Sequence, residues 1–285
     1  MLAFQRVRSP AVQPVSPSTC LVIAGAGDLG SRLALLRVDR EADVVAVRRR
    51  DVAHHPGVRP VRADLASGEG LSRLPKRPDA VVFCAAPDQR DELAYRKLYV
   101  DGLRRLLDAI DTPRLVFVSS TAVYGQDAGE WVTESSATQP TRFNGQVLLE
   151  AERELAAHPG GIVLRLSGLY GPGREAMLRR AREGIATRAH FTNRIHIDDA
   201  AAALSHLLDL PSPNALYLGN DDLPVLEHEL QAWVRAEEGL PAVDADASPI
   251  SGRRIANTRL RASGWQPVFV DYRSGYSAQL VRPGL

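Results

Sequence analysis

Lysine is nearly absent from this 285-residue sequence, because all but two of its 35 basic residues are arginines. Only Lys76 and Lys97 remain, so few positions could support chemistry that needs a lysine amine. The 34 acidic residues balance the arginines and leave a formal net charge of +1. Such a chain has no overall charge that would attract nucleic acid or an anionic membrane, and neither is expected as a partner.

Cysteine and long apolar segments are equally scarce. Cys20 and Cys84 lie in apolar runs typical of buried strands, where we expect small buried hydrophobes and no disulfide. No histidine or cysteine cluster has metal-ligand spacing, so no metal site is predicted. No apolar run reaches the roughly 18 residues of a membrane span, and residues 1–18 lack the apolar core of a secretory signal. The sequence therefore predicts a cytoplasmic protein with a flexible N-terminal arm over 1–18.

Short apolar runs alternate with helical patterns along most of the chain, at 20–25, 43–48, 60–64, 80–86, 115–120, 162–169, 193–197 and 215–218 for the strands. Continuous apolar strands separated by crossover helices are typical of a parallel sheet covered on both faces. We predict an α/β, doubly wound parallel-sheet Rossmann fold over 19–170. A small C-terminal substrate lobe follows over 171–285 and contributes one further strand. The predicted helices are 29–38, 91–110, 143–157, 174–185, 198–209, 224–238 and 252–263.

A glycine-rich turn follows the first predicted strand, with Gly25, Gly27 and Gly30 spaced as GxGxxG. The preceding apolar strand and the following helical pattern are the context that distinguishes a dinucleotide-binding turn from an ordinary glycine turn. Gly25 permits the tight turn, Gly27 lets the backbone approach a pyrophosphate, and Gly30 allows close packing of helix on strand. Asp28 and Leu29 complete the turn, where the helix N-terminus would face the anion.

The second predicted strand ends in Arg48, Arg49 and Arg50, where a site that prefers NAD usually has an acidic residue. Guanidinium groups suit a 2′-phosphate, so Arg48 and Arg49 favour NADP over NAD, although some of the three could simply face solvent. The remaining predicted cofactor contacts lie at the ends of later strands: Asp64, Leu65, Ala85, Ala86, Ser119, Ser167 and Gly168.

Three segments, VSSTAVYG (118–125), RLSGLYGPGR (165–174) and NRIHIDDAA (193–201), occur in this order. Together they resemble the extended and atypical short-chain dehydrogenase/reductases, the NAD-dependent epimerase/dehydratase family, over about residues 20–265. The resemblance implies an NAD(P)-binding Rossmann fold and hydride transfer assisted by a serine, a tyrosine and a lysine. Ser120 matches the serine, four residues before Tyr124.

The tyrosine–lysine pair of that family, YxxxK on one helix, has no counterpart in this sequence. Aligning TRFNGQVLLEAE with that helix places Arg142 at the tyrosine, Gln146 at the lysine and Glu150 at the glutamate that follows the lysine. Glutamine cannot supply the positive field of a lysine, and arginine is a poor proton donor near neutral pH. Shifts of one or two residues give Phe143 with Val147, or Asn144 with Leu148.

Three functions are compatible with these features. The first is an NADP-dependent oxidoreductase acting on a compact polar substrate, with Tyr124 as proton donor and Ser120 orienting the reacting oxygen. A packing role is the alternative for Tyr124. The second is a non-catalytic NADP-binding sensor or scaffold. The third is a sugar-nucleotide epimerase or dehydratase, which the short segment between GPGR and NRIHIDD disfavours. The predicted substrate contacts are Arg142, Asn144, Tyr170, Arg174 and Arg194.

Members of the family often pair through their fourth and fifth helices. Here the helix at 143–157 has an apolar stripe and, beside it, Leu148 and Leu149. This is more apolar surface than one core contact needs, so we predict a homodimer through the helices at 91–110 and 143–157.

Overall fold

The computed structural model describes residues 19–40, 42–50, 55–185, 188–244 and 249–280, and the arm predicted over 1–18 lies outside these residues. The strands are β1 (Cys20–Ala24), β2 (Asp43–Arg48), β3 (Val58–Arg62), β4 (Ala80–Phe83), β5 (Leu115–Ser120), β6 (Ala128–Val132), β7 (Gly161–Leu166), β8 (Gly168–Tyr170), β9 (His190–Thr192), β10 (Arg194–His196), β11 (Leu216–Gly219), β12 (Val225–Leu226) and β13 (Ser251–Ile255).

The α-helices are α1 (Asp28–Val38), α2 (Glu92–Tyr95), α3 (Gly102–Ala109), α4 (Phe143–Leu155), α5 (Ala176–Glu183), α6 (Ile197–Asp209), α7 (Glu227–Glu237), α8 (Thr258–Ala262) and α9 (Tyr272–Tyr276). A π-helical segment, Arg96–Asp101, joins α2 to α3. Among the described residues, no helix is both long enough and apolar enough to cross a membrane.

Seven parallel strands form the central sheet, in the order β11-β7-β5-β4-β1-β2-β3. This is the doubly wound arrangement predicted from the sequence, and β11 is the strand added by the later part of the chain. The central strands are apolar on both faces, with Val22, Ile23, Val81 and Val82 fully buried. Parallel sheets need such strands because helices cover both of their faces.

Two apolar cores lie on the two sides of this sheet. Helices α3 and α4 cover one side, where Leu103 and Val147 are buried. Helices α1 and α6 cover the other side, where Leu33 and Leu204 are buried. Both cores hold the loops at the carboxyl ends of the strands in fixed positions, which is where this class of sheet binds ligands.

A four-stranded sheet, in the order β12-β9-β13-β6, is built mainly from the later part of the chain. The helix predicted over 252–263 is wrong in its first half, because those residues belong to β13. Gly252 has a φ of +77°, which a right-handed helix does not accommodate. The Asn193 side chain also bonds the backbone of β13 at 2.8 Å through both its amide oxygen and its amide nitrogen. Only the second half of the predicted segment is helical, as α8.

A third core, around α5, α7 and α9, encloses the carboxyl group of Asp221, which is 1% exposed. One carboxylate oxygen accepts the Leu223 N–H at 3.2 Å, and the other has no partner among the described residues. Burial raises the pKa of Asp221 to about 8, although the nearby Arg194 acts in the opposite direction. The folded protein therefore holds a proton that the unfolded chain releases near pH 4.

Asp221→Asn should remove this proton-linked loss of stability. Between pH 4 and pH 8 the unfolded chain binds fewer protons than the folded protein, so the wild type should lose stability as pH rises, by up to about 1.4 kcal/mol per pH unit. The asparagine cannot titrate. The free energy of unfolding of Asp221→Asn, measured in urea, should therefore exceed that of the wild type by a margin that grows as pH rises across this range. The exposed neighbour supplies the control, Asp222→Asn. Parallel stability curves for wild type and Asp221→Asn would contradict the prediction.

Candidate functional site

The turn between β1 and α1 has a backbone shape that requires glycine. Gly25 has a φ of +104°, and a Cβ atom built there would lie 2.3 Å from the Cα of Ala85. A Cβ on Gly30 would lie 2.7 Å from the carbonyl oxygen of Gly25, so this glycine lets α1 pack closely on β1. A Cβ on Gly27 would meet no atom within 4 Å, which leaves the backbone at the start of α1 open to an approaching anion.

Ion pairs surround this open helix start. Asp28, the first residue of α1, pairs with Arg32 at 3.0 Å and with Arg174 at 3.2 Å. Arg32 also pairs with Asp198 at the start of α6. The two guanidinium groups offset a carboxylate that would otherwise repel an anion bound here. Arg174 therefore joins the loop after β8 to the turn, and its predicted contact with a substrate stays a prediction.

The arginines at the end of β2 have different surroundings. The Arg48 guanidinium donates to the Ser31 hydroxyl on the first turn of α1, and its Nε is buried without a partner among the described residues. Arg49 pairs with Asp88 at 2.6 Å on the protein surface. Arg48 is thus the one of these two that reaches the glycine turn, and no carboxylate of the described residues pairs with it.

The carboxyl ends of the parallel strands share one edge of the sheet. Asp64 accepts the Ala66 N–H at 2.9 Å in the turn after β3. Ser167 follows β7 with a buried hydroxyl that has no partner in the described part of the chain, an arrangement that is costly unless water or a ligand completes it. The predicted cofactor residues that follow or end strands at this edge are Asp64, Leu65, Ala85, Ala86, Ser119, Ser167 and Gly168.

The two predicted catalytic residues at the end of β5 differ in exposure. Ser120 is half-buried, and its hydroxyl accepts the Ala122 N–H at 3.2 Å. Tyr124 is only 1% exposed; its hydroxyl donates to the Thr133 carbonyl at 3.0 Å and accepts from Arg165 at 2.7 Å. Burial raises the pKa of Tyr124. The geometry therefore supports the packing role for Tyr124 over the predicted role as proton donor.

A buried ion pair joins α4 to β7 and also forms hydrogen bonds with Tyr124 and Ser119. Arg165 and Glu152 are 2.6 Å apart at their closest atoms, and their side chains are 6% and 7% exposed. The Ser119 hydroxyl donates to the same carboxylate at 2.5 Å. The Ser119 side chain is therefore committed to α4, which leaves only its backbone for the predicted cofactor contact.

Two predicted substrate residues lie inside the third core. The Tyr170 hydroxyl donates to the Asp271 carbonyl at 3.2 Å, and the ring packs on Tyr276. Arg194 donates to the Thr192 hydroxyl and is buried. The predicted contacts of Tyr170 and Arg194 with substrate stay predictions; the burial of both side chains disfavours them, although the Arg194 Nη1 has no partner among the described residues.

Sequence reasoning missed Arg253, which reaches the segment that follows Ser120. Its Nη1 atom donates to the Tyr124 carbonyl and, at 3.5 Å, to the Thr121 carbonyl. The residue lies on β13, the strand that the sequence predicts as helix. No local sequence pattern predicts this contact, because it joins residues more than 120 positions apart.

The glycine turn, the all-parallel central sheet and the open helix start define a protein of the Rossmann-type α/β class. The family model described as "NAD dependent epimerase/dehydratase family" matches residues 20–219. The chain belongs to this family, which confirms the resemblance noted in its sequence.

Among curated relatives, protein YeeZ of Escherichia coli K12 is 36% identical over 42% of this chain and 46% of its own length. The 2′-dehydrokanamycin reductase of Streptomyces kanamyceticus is 30% identical over 66% of this chain and 57% of its own. The chain thus spans about half the length of the curated relatives it matches.

Solved structures match over nearly the whole chain. One from Methylobacillus flagellatus, assigned to the NAD-dependent epimerase/dehydratases, is 36% identical, covers 92% of this chain and 97% of its own, and has a TM-score of 0.81. WbmG of Bordetella bronchiseptica, crystallised with NAD and UDP, shares the fold at 19% identity, with a TM-score of 0.77 and coverage of 92% and 93%.

Family membership and the buried ion pair together revise the alignment of α4. Glu150 lies on the outer side and pairs with Arg96 at 2.7 Å, whereas Glu152 faces the core. If the buried Glu152 is the glutamate that follows the family's lysine by four residues, Leu148 takes the lysine position and Asn144 the tyrosine position. This register is favoured over the one that pairs Arg142 with Gln146, since both of those side chains are exposed and Leu148 is 4% exposed.

Proposed function

We propose that the chain binds a nicotinamide dinucleotide over the Gly25–Gly30 turn and acts as an oxidoreductase on a compact polar substrate. The observation that carries the proposal is the open backbone at Gly27, at the N-terminus of α1. The residues fit the group in two further places. The unpartnered Ser167 hydroxyl and the Arg48 Nε are polar atoms that a bound ligand could complete.

When bound, the dinucleotide would supply or accept a hydride. Ser120 would orient the reacting oxygen from the end of β5. Asn144, half-buried at the tyrosine position, could hold a polar atom but cannot donate a proton as an acid. A reductase role is further supported by similarity to a protein named as a reductase, 2′-dehydrokanamycin reductase.

A non-catalytic NADP-binding sensor is the second candidate, favoured by the aliphatic Leu148 at the lysine position. NADPH oxidation in the presence of a panel of carbonyl compounds separates the two, because a sensor would bind NADPH and consume none. A strict sugar-nucleotide epimerase is disfavoured by the short segment between β8 and β9 and by the absence of the tyrosine–lysine pair.

Gly27→Asp should abolish dinucleotide binding, because a carboxylate would stand where the pyrophosphate approaches. The fold should tolerate the change, since the new side chain enters open space. Calorimetric titration with NADPH measures the loss. Gly27→Asn is the matched neutral control and should bind more strongly than Gly27→Asp. Unchanged affinity in Gly27→Asp would rule out binding at this turn.

We further propose that NADP is preferred over NAD through Arg48. The Arg48→Asp variant should then lose about 1.5–3 kcal/mol of NADPH binding while NADH binding changes little. Arg49→Asp is the control, because Arg49 already has a carboxylate partner in Asp88. Equal affinities of the wild type for NADPH and NADH would refute the preference.

We also propose a homodimer through α2, α3 and α4. Leu93 on α2 is 62% exposed, and Leu149 on α4 packs only at the edge of the core. Leu148, which the sequence suggests as surplus apolar surface, is instead part of the core. A dimer is expected by light scattering, and Leu93→Glu should weaken it. A monomeric wild type at micromolar concentration would refute the proposal.

A cytoplasmic location stays a prediction.

A further inference from the structure

Arg253 holds the turn that follows the predicted catalytic serine. The half-buried guanidinium uses one nitrogen, Nη1, to contact the carbonyl oxygens of Thr121 and Tyr124. These carbonyls belong to the segment that begins directly after Ser120. Arg253 therefore contacts the backbone of the residue that directly follows Ser120, the position proposed to orient the reacting oxygen.

The other two nitrogens of this guanidinium remain unused. Nε and Nη2 make no hydrogen bond to the described residues, and the side chain that carries them is only half-buried. They form the planar edge that binds a carboxylate or phosphate through two parallel hydrogen bonds. Arg253 is thus anchored through Nη1, while Nε and Nη2 make no hydrogen bond to the described residues and could bind an anion.

No carboxylate within the described residues forms an ion pair with Arg253. Asp127 and Glu130 are near enough to raise its pKa, but each is engaged with a backbone N–H, at 2.7 Å from Gly252 and 2.8 Å from Ala128. Burial outweighs them and lowers the pKa of Arg253. A half-buried cation of this kind is stabilised by a bound anion.

Arg32 and Arg174, two arginines beside the glycine turn, do not share this property. Arg174 and Arg32 both pair with Asp28. A ligand would have to displace a carboxylate to use either of them, whereas no carboxylate of the described residues forms an ion pair with Arg253. The comparison favours Arg253 for direct recognition of a charged ligand beside Ser120.

We propose that Arg253 binds the carboxylate or phosphate group of an anionic substrate whose reacting oxygen meets Ser120. This rests on the proposed oxidoreductase function and adds the charge of its substrate. The substrate class is a compact carbonyl compound, or the corresponding alcohol, that bears an anionic group close to the reacting carbon.

Calorimetry with a matched pair of probes tests the proposal. Oxamate carries a carboxylate beside a carbonyl, and oxamide is its neutral counterpart. Oxamate and inorganic phosphate should bind the wild type, in the presence of NADPH, and oxamide should not. Arg253→Gln should weaken oxamate binding by about tenfold or more, the loss expected for one charge-assisted, two-bonded contact.

Arg254→Gln is the control on the same strand. The Arg254 guanidinium packs on Trp131 and Phe191, and its Nε donates to the Gly129 carbonyl at 2.7 Å. Arg254→Gln should therefore leave the affinity for oxamate unchanged. Equal loss in both variants, no loss in Arg253→Gln, or a wild type that binds neither anion would overturn the proposal. A separate NADPH titration of the wild type distinguishes its failure from failure of cofactor binding.

A measurement on the wild type covers the case in which Arg253→Gln does not fold. Phenylglyoxal, which modifies arginines, should label Arg253, and oxamate should protect it while leaving Arg254 unaffected. Mass spectrometry identifies the modified peptide. Labelling of Arg253 that oxamate does not slow would overturn the proposal equally.

Discussion

The buried ion pair between Glu152 and Arg165 fixes the arrangement of the site. It ties α4 to β7, takes up the Ser119 hydroxyl and, through Arg165, holds Tyr124. Removing one partner of such a pair typically costs about 3–5 kcal/mol, because the other charge is left buried and alone. This constraint sets which face of α4 meets the sheet, and so which residues could meet a ligand at the edge of the sheet.

The glycine turn is independent of that constraint. It is made of backbone, and its shape depends on Gly25, Gly27 and Gly30 rather than on any side chain of α4. A dinucleotide site can therefore persist while the residues that perform proton transfer change. In the register that the buried Glu152 favours, Asn144 and Leu148 take the positions of the family's tyrosine and lysine and would be an example of such a change. In the proposed site, Arg253 on β13 would supply the positive charge instead.

The sequence predicts well what depends on local pattern. The apolar runs locate the seven central strands, and the spacing of Gly25, Gly27 and Gly30 identifies the turn, because both follow from contacts close in the chain. Prediction from the sequence fails where contacts between residues far apart in the chain determine the structure. β13 is a strand because Asn193 and the neighbouring strands bind its backbone. The register of α4 depends on which of its two glutamates, Glu150 or Glu152, pairs with Arg165. The sequence suggests Tyr170 and Arg194 as site residues because it does not show that α9 packs against both.

A crystal structure of the protein with NADPH tests the account most directly. The pyrophosphate is expected at the backbone N–H groups that follow Gly27. The nicotinamide end is expected beside Ser120, closer to Asn144 and Leu148 than to Arg142 and Gln146. A nucleotide bound away from the turn, or a nicotinamide ribose held by Arg142 and Gln146, would contradict the account.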